Sequence, residues 1–404
     1  MAATPLTLAV AAIMFVGVTA YALFAGADFG GGVWDMLAGG TRRGAEPRAL
    51  IDQSITPVWE ANHVWLVLML VVLWSGFPPA FAAIMTLLFV PLNLSLLGIF
   101  FRGVGFAFRH STHSVRLQQL NGVMFAASSL MTPFFLGTVV GAITSGAVRV
   151  GETGNKLSAW TSATSLLTGL LAVTACAYIS AVYLVRDAHR RGWQDLTRYF
   201  GIRAGIAGTV SGLLALANLV VMHRQAPYVF HGLLHRALPL AIASVVAGTA
   251  ALVLIALHRA LHLLPVVAAL TVATAVWGWA VAQYPYLLPA TLTLRQAAAP
   301  SGAMVTEIVT AAMVTAFVVP AFVMLYWLQQ HDLLAESDSS KLREDAAVQN
   351  PAEAAMPAPS WGSRLVAGTL VGTVLVDLFR RLFFRHGSRP GSGGDDSDRS
   401  AGTG

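Results

Sequence analysis

Charge and cysteine are the two things that this chain has little of. Only 11% of its 404 residues are charged and 56% are apolar, whereas a soluble globular protein has about 25% charged residues. Runs of about 20 apolar residues recur along the whole length, which predicts an all-α polytopic membrane protein. A soluble protein with a large core is disfavoured, and a β-barrel would show alternating strands of about 10 residues instead.

The single cysteine, Cys176, lies inside an apolar run. One cysteine provides neither a disulfide framework nor a thiolate metal cluster. The N-terminal segment has no basic region and no cleavage site, so we expect a retained first helix rather than a signal peptide. The net charge of +6 is scattered over short loops. Membrane topology explains that distribution better than a nucleic-acid partner does.

Nine membrane-spanning helices are predicted from the apolar runs and the turns between them. Lys and Arg number twelve in the loops after odd-numbered helices and five in the loops after even-numbered ones. Because positively charged loops stay in the cytoplasm, the N-terminus is predicted outside and the last helix ends in the cytoplasm. The predicted spans are residues 6–27, 57–75, 79–101, 120–146, 158–185, 203–222, 238–257, 264–283 and 304–328.

The composition changes after the predicted membrane domain, residues 1–330. Residues 331–360 are polar and rich in Ala and Pro, as in a linker. Residues 361–386 contain Asp377 and end in an Arg/Phe cluster, which favours an amphipathic or membrane-associated helix over a tenth span. Residues 387–404 are typical of a disordered tail.

Asp28 is followed by three consecutive glycines, Gly30 to Gly32. One interpretation is a solvated helix end with a flexible exit. The other is that the glycines let a backbone or a cofactor approach closely while Asp28 handles protons. Both interpretations stay open at the level of sequence.

Glu60 and His63 open the second apolar run and share one face of a helix, with Trp59 on nearly the same face. A carboxylate beside a histidine at the cytoplasmic end of a membrane helix is typical of proton entry. A hydrogen-bonded structural role and haem ligation by His63 are the alternatives. Glu-x-x-His is also half of a di-iron motif, but that site needs a second copy, which is lacking, so no metal is predicted.

Two further polar residues, Asn93 and Glu307, fall within predicted spans. Glu307 lies about one turn inside the outer end of the ninth helix, where the side chain can reach the interface. Two histidine pairs have i,i+4 spacing but fall in or beside loops without a carboxylate cluster, so neither predicts a metal site: His231/His235 and His258/His262.

Five motifs in this order resemble subunit II of cytochrome bd-type quinol oxidases: GADFGGGVWDML, TPVWEANHVWLV, FPPAFAA, FFRGVGFAFR and YPYLLPATLTL. The resemblance covers about residues 6–330. It implies two four-helix bundles plus a peripheral helix in the bacterial cytoplasmic membrane. It also implies an accessory subunit of a terminal oxidase that oxidises quinol and reduces oxygen to water. Haems b and d would belong to a partner, subunit I, packed across a pseudo-symmetric apolar interface among membrane lipids.

The resemblance also implies roles for single residues. Glu60 matches a carboxylate on a proton path from the cytoplasm, with Asp28 and His63 as further members. Quinone contacts are implied for Trp59, Glu60 and Arg102, and an oxygen path beside Trp65. The chain departs from the usual family pattern at four positions: Ala25 for an acid, Glu60 for Asp, Ala61 for Gly, and His63 for Gln.

Two other functions fit the sequence. The first is a stand-alone proton-coupled secondary transporter, since intramembrane acids are typical of that class, although the inverted repeats of such transporters are not visible. The second is a relative that keeps the fold and the partner but has lost oxygen reduction.

Overall fold

The fold is built on long helices whose bounds follow the apolar runs. The structure, a computed structural model, describes residues 3–39, 44–55, 59–109, 115–151 and 156–330, and their side chains except at 55, 59–61, 106–109, 115–121, 322 and 325–330. The predicted linker, amphipathic helix and tail lie outside these residues. The elements are α1 Pro5–Leu37, α2 Ala45–Ile55, α3 Trp59–Gly76, α4 Pro78–Leu87, α5 Phe89–Arg109, α6 Val115–Thr144, α7 Ala163–Arg190, α8 Gln194–Gln225, α9 Pro227–His235, α10 Leu238–Leu257, α11 Leu264–Gln283, β1 Tyr286–Leu288, β2 Leu292–Thr293, α12 Leu294–Ala297 and α13 Ser301–Gln330.

The first helix shows how sequence sets these bounds. Thr4 precedes α1 and its hydroxyl accepts a hydrogen bond from the amide of Thr7 at 3.2 Å, while Pro5 occupies the first helical position, where no amide is needed. The helix then runs for 33 residues, about 50 Å at 1.5 Å per residue, through the three glycines without a break. A flexible glycine exit after Asp28 is therefore excluded.

Seven helices of the described part are long and apolar enough to cross a membrane: α1, α6, α7, α8, α10, α11 and α13. Helices α3 and α4 pass the same test only together, with a bend of 117° between them, and α5 is a shorter apolar helix. The predicted all-α polytopic class is confirmed. The count of nine spans, the grouping into two four-helix bundles and the orientation stay predictions.

Two predicted boundaries are wrong in a way that matters for the site. The third predicted span, 79–101, is two helices, α4 and α5, interrupted at Leu88. Helix α5 also continues to Arg109, so Arg102 belongs to a helix and not to the loop in which the sequence placed it. The first helix likewise extends ten residues beyond the predicted end at 27.

Short elements that the sequence did not predict close one end of the bundle. The YPYLLPATLTL motif forms an antiparallel hairpin of β1 and β2 that follows a cis peptide bond between Tyr284 and Pro285. Thr293 then caps α12 through a capping box with Gln296. Helix α9 also lies at this end, between α8 and α10.

Helix α1 is the packing axis of the described part, since it contacts α3, α6, α7, α11 and α13. We call its beginning the Thr4 end of the bundle and its other extremity the Leu37 end. Val10 and Phe15 belong to an apolar core at the Thr4 end, and Val33 and Trp34 belong to a second core at the Leu37 end. The polar site described next lies between them.

Candidate functional site

A buried ion pair joins α1 to α5. The guanidinium of Arg102 donates from Nε to Asp28 Oδ2 at 2.9 Å and from Nη2 to both Asp28 Oδ1 and the backbone oxygen of Asp28, the latter at 2.7 Å. Arg102 is 0% exposed and the Asp28 side chain 2%. Asp28 is therefore not a solvated helix end, and the pair explains how a membrane helix carries a charge that would cost about 3 kcal/mol alone.

The remaining contacts of Arg102 complete its enclosure. Nη1 donates to the Ser129 hydroxyl of α6 at 2.9 Å, and that hydroxyl donates to the backbone oxygen of Phe125 at 2.8 Å. The guanidinium carbon lies 4.9 Å from the ring centroid of Phe29 and 4.5 Å from that of Phe125, which adds cation–π attraction in a dry environment. Three helices thus meet at one arginine.

Two of the glycines after Asp28 allow neighbouring helices, α6 and α7, to approach α1 closely. A Cβ on Gly30 would lie 2.0 Å from the backbone oxygen of Cys176 on α7, and one on Gly32 would lie 1.8 Å from Ser129 Oγ. Close approach of a neighbouring backbone is the second of the two interpretations given above. Nearby, Trp34 Nε1 donates to the backbone oxygen of Ala177 at 2.8 Å, which ties α1 to α7 again.

The WEANHVW segment forms the first turns of α3 and packs on α1. Asn62 donates from its amide to the backbone oxygen of Phe24 at 3.3 Å, one helical turn before Asp28. The half-buried ring of His63 lies edge-on to Tyr21, 6.3 Å between centroids, and Trp65 stacks on Phe24 at 6.2 Å.

The other members of this segment are known by backbone only. Glu60 lies in the first turn of α3, and its side chain and that of Trp59 are outside the described residues. The position of Ala25, where the family pattern has an acid, is 1% exposed and belongs to an apolar cluster with Tyr21 and Phe29. Asp28 is thus the acid of this stretch of α1 that faces the site.

A second polar contact lies at the Thr4 end. The Glu307 carboxyl on α13 is 9% exposed, and its Oε1 lies 2.6 Å from the hydroxyl of Ser75 near the end of α3. The Glu307 side chain therefore turns into the junction of α3 and α13 rather than away from the bundle.

The remaining polar candidates make local contacts. Asn93 is exposed and donates to the backbone oxygen of Phe89 in its own helix at 2.8 Å. His231 and His235 lie on α9 rather than in a loop, with ring centroids 6.1 Å apart. Within the described ranges, no three His, Cys, Asp or Glu side chains come together as a metal site would need.

Sequence reasoning missed the pairing of Asp28 with Arg102 and the burial of Glu307. A charge within a membrane span requires a partner, which is a signal for the pair. The third predicted span ends at residue 101, one position before the arginine, so the sequence alone leaves Arg102 in a loop.

The family model described as cytochrome bd terminal oxidase subunit II matches residues 6–329. The chain belongs to this family. The resemblance inferred from the five motifs is thereby confirmed, and membership makes this subunit II protein an integral protein of the bacterial cytoplasmic membrane.

Individual relatives agree with the family. The subunit II chain is 25% identical over 222 residues to a putative cytochrome bd menaquinol oxidase subunit II of Bacillus subtilis, covering 53% of the chain and 62% of the relative. It is 29% identical over 220 residues to the cytochrome bd-I ubiquinol oxidase subunit 2 of Escherichia coli, covering 52% and 55%. The matches thus span less than two thirds of either relative's length.

A solved structure agrees in fold. A chain of the bd oxidase from Geobacillus thermodenitrificans superimposes with a TM-score of 0.65 at 21% identity, covering 83% of this chain and 100% of that one. At this identity the likeness concerns the fold alone. None of these matches supports the stand-alone transporter.

Proposed function

We propose that this chain is the accessory, non-haem subunit of a bd-type terminal oxidase that oxidises quinol and reduces oxygen to water in aerobic respiration. The observation that carries the proposal is the family match over residues 6–329. In the proposed complex, subunit I holds haems b and d, and this chain stabilises it across an apolar membrane interface. The chain contributes a proton-conducting region rather than a redox centre.

The proposed proton path begins at Glu60 and includes His63 and Asp28. Its support is the packing of α3 on α1, since Asn62 bonds to Phe24 one turn before Asp28 and the imidazole of His63 is half-buried beside Tyr21. The two ring nitrogens of an imidazole can donate and accept hydrogen bonds, which suits His63 to a place in a proton relay. Asp28 acts differently in this scheme: fixed to Arg102, it provides a charged boundary that orients the polar groups around it.

Quinone and oxygen contacts are further parts of the proposal. Trp59 and Glu60, in the first turn of α3, would face the quinone head group. Arg102 is enclosed by Asp28 and Ser129, so its contact with the quinone head group requires the ion pair to open. Trp65, stacked on Phe24, would border the oxygen path.

The test is co-expression with the neighbouring reading frame and purification on a tag carried by this chain. Reduced-minus-oxidised spectra and quinol-dependent oxygen uptake are then recorded. Copurifying b- and d-type haem bands with oxygen uptake are the expected result. Haem bands without uptake would favour the relative that has lost oxygen reduction, and a haem-free protein in the presence of expressed partner would overturn the proposal.

A further inference from the structure

One buried carboxyl group lies far from the proposed proton path. Glu307 of α13 faces Gly76 of α3 and Val10 of α1 at the Thr4 end. Val10 and Asp28 are separated on α1 by about 27 Å at 1.5 Å per residue. The two buried acids therefore occupy opposite halves of the bundle and have different environments.

The hydrogen bonds around Ser75 restrict which atom carries the proton. Its Oγ lies 2.7 Å from the backbone oxygen of Val71 and 2.6 Å from Glu307 Oε1. A serine hydroxyl has one hydrogen to donate, and a carbonyl oxygen and an ionised carboxylate can only accept. For both short contacts to be separate two-centre hydrogen bonds, Ser75 must donate to Val71 and a protonated Glu307 must donate to Ser75.

The environment of the second carboxyl oxygen also favours a protonated Glu307. Glu307 Oε2 is buried and has no hydrogen-bond partner among the described residues. It lies where a Cβ on Gly76 would be 2.7 Å away, next to Val10 Cγ1. A charged oxygen in that apolar position would lose its hydration without compensation, while the carbonyl oxygen of a neutral acid costs far less.

Among the described residues, no cation lies within salt-bridge distance of Glu307. The helices that pack most extensively against α13 are α1 and α3. Their titratable residues all lie about three helical turns or more from Val10 or Gly76, toward the Leu37 end: Tyr21, Asp28 and Asp35 on α1, and Glu60 and His63 on α3. Arg295 of α12 is exposed.

We propose that Glu307 and Ser75 form a proton-binding site in which Glu307 is held as a neutral carboxylic acid. The bound proton completes the junction between the start of α13 and the bend after α3, where Ala299 also donates from its backbone amide to the backbone oxygen of Gly76 at 2.8 Å. Asp28 is the contrasting case, a buried carboxylate held in a salt bridge by Arg102.

The experiment is infrared difference spectroscopy on the full-length chain purified with whatever partner it retains, in H₂O and in D₂O. Wild type is compared with Glu307→Gln, and Asp28→Asn is the matched control. We expect wild type minus Glu307→Gln to contain the carbonyl band of a protonated carboxyl, shifted in D₂O. Apart from the amide bands of the new Asn, the same subtraction for Asp28→Asn should contain carboxylate bands and no carbonyl band of a protonated carboxyl. Carboxylate bands in the Glu307 subtraction would overturn the proposal.

A second variant covers the case in which Glu307→Gln does not assemble. Ser75→Ala keeps the acid but removes its acceptor, so we expect the carbonyl band to shift to higher frequency without loss. An unchanged carbonyl region in Ser75→Ala would overturn the proposal. The measurement needs neither haem nor turnover, so its failure is distinguishable from a failure of the proposed oxidase function.

Discussion

The ion pair of Asp28 and Arg102 joins α1 to α5. Every polar atom of the guanidinium has an acceptor within hydrogen-bonding distance, and the environment is dry. In such a site the pair itself adds little stability over an apolar pair, but one partner without the other is costly.

We therefore expect Asp28→Asn to destabilise the protein by about 3–5 kcal/mol, the usual cost of leaving one buried charge without its counter-charge. The thermal unfolding midpoint of the purified complex measures the effect. Removing both charges, in Asp28→Asn with Arg102→Met, should recover part of the loss. An unchanged midpoint in the single variant would show that the pair does not contribute to stability.

At Glu60 the expected effect concerns turnover rather than stability. Glu60→Gln keeps size and shape but cannot pass a proton, so oxygen uptake should fall on the order of a hundredfold, the lower range for a positioned proton-transferring side chain. The matched control is Glu46→Gln, an exposed carboxylate on α2, which should leave uptake unchanged. Near-normal uptake in Glu60→Gln with normal haem content would exclude Glu60 from the proton path.

At the scale of elements, close helix packing depends on glycine at defined positions. The Cα of Gly30 faces a backbone oxygen of α7 with no space for a methyl group. Elsewhere, a glycine within a helix lowers stability relative to alanine by up to about 1 kcal/mol. Replacing glycine with alanine should therefore destabilise the protein at some helical positions and stabilise it at others.

Gly30→Ala is expected to separate α1 from α7 and to destabilise by about 1–3 kcal/mol, as overpacking does. Gly212→Ala on α8, where a Cβ meets no atom within 4 Å in the described structure, should be neutral or slightly stabilising. The thermal unfolding midpoints of the two variants, measured in parallel, test this expected difference. Equal effects at the two positions would contradict the packing argument.

Element boundaries also explain which part of the site was predictable. The apolar runs predicted α10 and α11 with the observed bounds because polar residues and prolines flank them closely. They did not reveal that α5 continues to Arg109, because a charged residue ends an apolar run in the sequence even when its partner lies on another helix. The hairpin of β1 and β2 is too short and too apolar to stand out from its surroundings.

At the scale of the whole molecule, the described residues form one compact unit. The family match, residues 6–329, covers nearly all of it. The match does not extend into residues 335–404.

A chain ending after residue 334 is accordingly expected to assemble with the haem-bearing partner and to support the oxygen uptake of the full-length chain. Haem content per purified complex and quinol-dependent uptake are the two measurements, with the full-length chain prepared in parallel. Loss of the partner on truncation would assign residues 335–404 a part in assembly.

The sequence by itself determined the membrane class, most of the spans and the family, because apolar length, loop charge and motif order are local properties that can be read along the chain. Only the tertiary structure decided the partners of the buried charges. Asp28 and Arg102 are 74 positions apart, and Ser75 and Glu307 are 232 apart. Contacts at that separation depend on which helix faces meet, and burial between those faces requires each polar or charged group to find its partner there.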